Sequence, residues 1–279
     1  CPIPHGDVSH RARVEPHANH PPQPILAVGK SHYVGEPLAA VIAERSTVAL
    51  DAAELIDAVV EPEPVVANAT QGQCDGSPVL HEHLGSNVLG QMRVGKGAAI
   101  EAMLQCRRTL RQQIVHHRYA AAPLECRSVI ADYDNRTDSI TVWTTSQVVH
   151  WVRAQLAISL NMSQAQIRVI APDVGGGFGV KGHVYPEEIL VAYLARRLKR
   201  PVRWVETRQE HLAGSTHSRD VVSEVEVGFD DDGKIHALSV ACLIDSGAYS
   251  PVGVGVTYNT TAHLLGPYDI EHFEATTKV

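Results

Sequence analysis

From Ile25 onward the apolar positions of the chain follow two rhythms, one of period two and one near 3.6, and their succession predicts the elements. "PILAVGKSHYVGEPLAAVIA" reads as strand, turn and strand. In "STVALDAAELIDAVVEP", Ser46 or Thr47 can cap a helix in which Val48, Ala52, Leu55 and Ile56 recur at helical spacing, and Pro62 ends the element after it. Residues 71–78 are rich in Gly, Gln, Asp, Ser and Pro and read as a loop. "GAAIEAMLQCRR" predicts a helix. "SVIADYD" and "SITVWTT" flank Asn135, Arg136, Thr137 and Asp138 and predict an antiparallel hairpin. Val149, Val152, Leu156 and Leu160 then mark a helix, and "IRVIAP" a strand that leads to the glycine cluster "VGGGFGVKG".

Beyond the glycines a helix is expected from Tyr185 or Pro186, with Ile189, Leu190, Tyr193, Leu194 and Leu198 as its buried stripe. Glu187 and Glu188 at its start, with Arg196, Arg197, Lys199 and Arg200 at its end, suit the helix dipole. A second hairpin turns at Asp231, Asp232 and Gly233. It carries Val221, Val225, Val227 and Phe229 on one face and Leu238, Val240, Cys242 and Ile244 on another, which makes Cys242 a core residue. Strands and helices mixed without strict alternation predict an α+β fold. The length of 279 residues suggests two domains, with a boundary near residue 90.

Composition narrows the function. With 44% hydrophobic and 20% charged residues the chain is that of a soluble globular protein, and no segment has the roughly 20 apolar residues of a membrane span. A net charge of -7 with scattered Lys and Arg gives no footprint for nucleic acid. Five widely spaced cysteines without a CxxC pair argue against a disulfide framework or a self-contained zinc or iron-sulfur site, and fit a reducing cytoplasm. The chain starts at Cys1 and stops within the strand-like "HFEATTKV", as a piece of a longer polypeptide would. His5, His10, His17 and His20 sit among prolines at irregular spacing, which favours an extended arm over a metal site.

The glycine cluster is the candidate site. A Walker loop is excluded, because Lys181 lies between Val180 and Gly182 instead of in Gly-Lys-Ser/Thr. Gly177, Gly179 and Gly182 satisfy G-x-G-x-x-G, with Glu206 about where a ribose-binding acid would stand, so an NAD(P)-binding dehydrogenase is one alternative. Pro172 and Asp173 separate the fingerprint from its strand, and Pro186 delays the helix, which speaks against it. Clustered glycines in any case let a bulky ligand reach backbone amides. Glu125 and Asp245 read as ion-pair or turn residues more readily than as catalytic acids, and Arg208, Glu210 and His211 as a solvated or domain-packing strip.

Several ordered stretches carry a wider resemblance: "YVGEPLAAVIAE", "APLECRSVIADYD", "VWTTSQVVHWVR", "VIAPDVGGGFGVK", "RPVRWVETRQEHL", "DSGAY" and "GPYDI". Together the chain resembles the molybdenum-binding large subunit of the xanthine dehydrogenase/aldehyde oxidase family, nearest its aerobic carbon monoxide dehydrogenase-like branch. The resemblance implies an extended arm and α/β hammerhead domain over residues 1–90, then over 91–279 the first part of a mixed α+β molybdopterin cofactor-binding domain. It implies oxidative hydroxylation of a carbon centre (an aldehyde, heterocycle, thioester or CO-type substrate) with water as oxygen source. The cofactor would be molybdenum-molybdopterin in its cytosine dinucleotide form. Electrons would pass to an iron-sulfur small subunit and an FAD medium subunit, and the missing C-terminal half would be a further partner. Gln147 matches the glutamine that reaches a molybdenum ligand, Phe178 flanks the substrate channel, and Gly176, Gly177 and Gly179 match the amide-bearing loop. No residue ligates the metal directly, and the family's glutamate base falls beyond Val279. Gly182 stands where purine-oxidising members carry glutamate. The remaining alternative is a non-catalytic assembly protein with the same fold.

Overall fold

The computed structural model describes residues 21–279; the four histidines of the arm lie outside the described residues. In chain order the elements are α1 (Ser46–Glu54), α2 (Ala69–Gly72), β1 (Gln91–Lys96), α3 (Ala99–Gln105), β2 (Arg108–Ala120), β3 (Ser128–Asp134), β4 (Ser139–Thr144) and α4 (Val149–Leu160). They continue with β5 (Ile167–Ile170), α5 (Pro186–Leu198), β6 (Val202–Val205), α6 (Arg208–Gly214), β7 (His217–Phe229), β8 (Ile235–Ile244), α7 (Gly253–His263) and β9 (His272–Lys278). The chain divides into two compact units, one holding residues 22–65 and 120–216, the other 66–119 and 217–279. Each contains a mixed sheet, so the architecture is mixed α/β. No helix among the described residues is long and apolar enough to cross a membrane.

The first unit is built on a four-stranded sheet of order β5-β4-β3-β6. The predicted hairpin forms as β3 and β4, pairing Asp134 with Ser139 at the turn. β6 adds antiparallel to β3, and β5 parallel to β4. Alternation puts Val129, Ala131, Ile140 and Val142 on the buried face, against Val152, Leu156 and Leu160 of α4 and Ile189, Ala192 and Ala195 of α5. Ile189 is 1% exposed, and its burial contributes on the order of 2 kcal/mol.

Two expectations need correction here. α5 starts at Pro186 as predicted, but its buried face is Glu188, Ile189, Val191, Ala192 and Ala195, while Tyr193 and Leu198 are exposed. The helix turns its small residues to α4 and the sheet, because Ala192 and Ala195 permit close approach. The strands expected between residues 25 and 43 do not form; only an isolated bridge joins Val28 and Lys30. No neighbouring strand among the described residues pairs with them, and a lone hairpin is marginal in water. α1 does form, but with Arg45 at its cap position and no buried residue.

In the second unit the sheet order is β1-β9-β8-β7-β2. β7 and β8 make the predicted hairpin, β9 lies parallel to β8, and β1 runs antiparallel to β9. Val240, Cys242, Phe273 and Ala275 form a core cluster, which confirms Cys242 as a packing residue.

Candidate functional site

The glycine loop follows β5 in the first unit and ends before α5. Gln147, just past β4, lies directly on it: the Gly179 N–H donates to Gln147 Oε1 at 3.1 Å, and the Gln147 N–H donates to the Lys181 carbonyl at 2.9 Å. An amide oxygen turned to a backbone N–H leaves the Nε2 group pointing elsewhere, and Nε2 has no partner among the described residues. The N–H groups of Gly177 and Phe178 also find no acceptor there. Gly177 is required by close approach, since a Cβ on it would lie 2.6 Å from Gln147 Cδ, with Oε1 nearer still.

Phe178 has φ +51° and is 77% exposed. A non-glycine residue in the left-handed region is uncommon and marks stored strain. Its ring, with Pro123, covers Gly176. Gln147, Gly176, Gly177, Phe178 and Gly179, the residues the resemblance groups, lie together.

Below the loop the chain carries a set of ion pairs; the sequence suggested one for Glu125 but did not reveal its partner. Lys181, with a fully buried side chain, donates to Glu125 Oε2 at 2.8 Å, and the Gly175 N–H donates to the same oxygen at 2.8 Å. Partial burial would raise the Glu125 carboxyl, but the bonds from Lys181 and Gly175 hold it below the ordinary carboxylate range. Two residues on, Arg127 donates to Glu206 Oε1 at 2.6 Å and to Glu187 Oε2 at 2.9 Å, and its guanidinium stacks 3.6 Å from the Tyr185 ring centre. Burial alone would make Arg127 a stronger acid; Glu187, Tyr185 and Glu206 reverse this and raise its pKa.

The conjectured ribose acid is thus committed elsewhere. Glu206 Oε2 accepts from the Arg127 N–H at 2.8 Å and faces His211 Nδ1 at 2.7 Å, while Ser215 Oγ donates to Oε1 at 3.1 Å. With Glu206 only 3% exposed, no oxygen is free for a ribose, and the dinucleotide alternative is not favoured. His211 is 1% exposed and its Nε2 faces the Ala121 carbonyl at 2.8 Å, so it is a buried anchor and not part of a solvated strip. Arg208 donates to the Pro123 and Leu124 carbonyls, and Glu210 closes the capping box of α6. Cys126, Glu206 and His211 bring one ligand atom each within 4.8 Å of one another. Because both Glu206 oxygens and both His211 nitrogens already have partners, the group reads as a polar network and not a metal centre.

A small cavity of about 10 Å³, room for roughly one water, is lined by Arg127, Thr144, Lys181, His183, Tyr185 and Glu188, among others. Burial pushes the Glu188 carboxyl up to about 7 against hydrogen bonds from Thr144 Oγ1 at 2.7 Å and the Tyr185 N–H at 3.0 Å. It also lowers the pKa of His183, whose Nδ1 is buried with no protein partner. In the second unit Asp245 pairs with Arg118 at 3.0 Å and accepts from the Gly247 N–H, a turn residue as the sequence suggests.

Residues 80–279 match the molybdopterin cofactor-binding domain family. The nicotine 6-hydroxylase large subunit of Paenarthrobacter nicotinovorans is 34% identical over 251 residues, covering 88% of this chain and 31% of that protein. The carbon monoxide dehydrogenase large chain of Hydrogenophaga pseudoflava is 30% identical, covering 81% and 30%. Among solved structures, quinoline 2-oxidoreductase from Pseudomonas putida 86 superposes with a TM-score of 0.91 at 34% identity over 95% of this chain and 34% of its own. The chain thus spans about a third of the length of these relatives. With more than half of its residues matched, it belongs to the molybdopterin cofactor-binding domain family.

Proposed function

We propose that the chain is part of the large subunit of a molybdenum hydroxylase, and that Gln147 and the loop Gly176 to Gly179 meet its cofactor. The observation that carries this is a set of donors without a partner among the described residues, brought together from two loops: the N–H groups of Gly177 and Phe178 and the Nε2 of Gln147. Such donors suit an anionic group, and the room left by Gly177 keeps Gln147 against the loop. When bound, the molybdenum-pterin group would supply oxidation of a carbon centre with oxygen drawn from water. The chain's own residues would orient it: amides at Gly177 and Phe178 facing its negative charge, and Gln147 offering a neutral donor that does not titrate.

Phe178, exposed and held in a strained conformation, would stand beside the substrate. Glu125, Glu187, Glu188 and Glu206 are each bound to a neighbour, and the resemblance implies a general base outside this chain. The cytosine dinucleotide form of the cofactor, a hammerhead arrangement for the first 90 residues, a cytoplasmic setting, and iron-sulfur and FAD subunits as electron acceptors belong to the same proposal. Two similar proteins support partner subunits as such: one is named as a subunit of a 6-hydroxypseudooxynicotine dehydrogenase complex, the other as the large chain of carbon monoxide dehydrogenase.

The test is to express the full-length polypeptide with its partner subunits and measure molybdenum by elemental analysis and pterin by fluorescence. About one of each per chain is expected. Absence of both, with NAD(H) binding in a calorimeter, would overturn the proposal.

A further inference from the structure

We infer that Lys181 and Glu125 are positioning residues: their ion pair, buried at Lys181 and half-exposed at Glu125, clamps the two ends of the glycine loop and so sets the amides and Gln147 that meet the cofactor. This rests on the function proposed above. Lys181 is among the largest fully buried side chains of the described residues, with 0% side-chain exposure. A buried ammonium is costly unless paired, and Glu125 supplies the pairing through Oε2 at 2.8 Å. That oxygen also accepts the Gly175 N–H at 2.8 Å, and the Glu125 N–H donates back to the Gly175 carbonyl at 3.3 Å. One carboxylate oxygen therefore joins the entry of the loop at Gly175 to its exit at Lys181. The exit in turn holds Gln147 in place, because the Lys181 carbonyl accepts the Gln147 N–H.

The loop needs such a clamp. Within it the bonds are local, Gly176 N–H to the Val174 carbonyl and Val180 N–H to the Gly177 carbonyl, and Phe178 between them is strained. Glu125 can act as the fixed point because its own segment is pinned on both sides. Arg208 holds the Pro123 and Leu124 carbonyls, and Arg127 is locked by Glu206 and Glu187. Gly175 fits against Glu125 so closely that a Cβ there would lie 2.6 Å from Glu125 Cβ. Both members of the pair belong to the first compact unit and line up with the loop, not with any second site.

The experiment uses the full-length protein with its partner subunits and compares Glu125→Gln, Lys181→Met and Glu125→Asp with the unaltered protein. Glu125→Asp keeps the charge opposite Lys181, so the fold is retained while the clamp shortens by one methylene. Folding is read from circular dichroism, loading from molybdenum per chain, geometry from the Mo(V) resonance, and kcat and KM are expressed per bound molybdenum. A misplacement near 1 Å can cost up to about a hundredfold in rate. The expected result is a shifted Mo(V) signal and a kcat per molybdenum reduced about tenfold or more with KM little changed, or loss of molybdenum from folded protein. If Glu125→Gln or Lys181→Met does not fold, Glu125→Asp decides. A folded variant with the unaltered resonance, loading and kcat per molybdenum overturns the inference, even if its unfolding temperature falls. Failure of the unaltered protein to hold molybdenum would instead overturn the function proposed above.

Discussion

A methyl group at Gly177 has nowhere to go except into Gln147, whose Cδ would be 2.6 Å away. Gln147 is exposed and can swing aside, but it then loses the Gly179 N–H bond, about 1 kcal/mol, and leaves its rotamer well, about 0.5–1.5 kcal/mol. Gly177→Ala should therefore cost about 1.5–2.5 kcal/mol in stability. Gly233, in the turn between β7 and β8, offers a control of similar cost. Its φ is +86° and no atom lies within 4 Å of an added Cβ, so alanine meets only left-handed backbone strain, about 1–2 kcal/mol. Both variants should lower the unfolding midpoint by several degrees, at roughly 2–4 °C per kcal/mol for a chain of this size. Only Gly177→Ala displaces Gln147. In the full-length protein with its partner subunits, turnover per molybdenum should fall in Gly177→Ala to the level of Gln147→Ala, and the double variant should be no slower than either, since two changes acting through one contact do not add. Gly233→Ala should stay near the unaltered rate. Equal losses in the two glycine variants, or additive losses in the double, would refute the steric account of Gln147.

Three further outcomes follow from the same geometry. Arg127→Met leaves Glu206 and Glu187 without their cation and should destabilise the fold by about 3–5 kcal/mol in denaturant unfolding; adding Glu206→Gln should restore part of the loss, and no recovery would mean that packing against Tyr185 dominates. Glu188 is raised to about 7 from the 4.5 of the unfolded chain, so between those pH values the folded state keeps a proton that the unfolded state gives up. Its contribution to stability is present at low pH, falls on the order of 3 kcal/mol as pH rises through that window and is level above it; subtracting the Glu188→Gln profile should isolate that slope, and parallel profiles would refute it. Gly182→Glu would press its Cβ within 3.0 Å of the Gly179 carbonyl oxygen; this overpacking against backbone should destabilise by about 1–3 kcal/mol, and a thermal unfolding midpoint equal to that of the unaltered protein would refute it.

Local pattern carried the hairpins and the helix starts, because β3 with β4 and β7 with β8 are neighbours in sequence, and Pro186 followed by two glutamates marks a helix N-terminus unaided. It failed where the decision lay elsewhere in the chain. The face α5 buries is set by β3 and α4, so Glu188 went inside and Leu198 stayed out. The segment from residue 25 to 43 has strand composition, but no neighbour among the described residues supplies the other half of a ladder. Gln147 and Phe178 were legible only through resemblance; their spacing alone favours a capping glutamine and a core phenylalanine. The pair Glu125 and Lys181 spans 56 residues, and nothing local in either stretch announces the other. A lysine inside a glycine loop that no Walker motif explains was the one available hint.

β9 fills a central place in the second unit's sheet, between β1 and β8, although it is made after both. On the ribosome, β1 must wait for roughly 180 more residues, about 10–35 s at ordinary rates of synthesis, before its hydrogen-bonding partner exists. Every strand and core helix of the first unit emerges within that interval and can settle first. The glycine loop could thus be in place while β1 is still an unpaired edge, exposed to chaperones and to mispairing with other nascent chains.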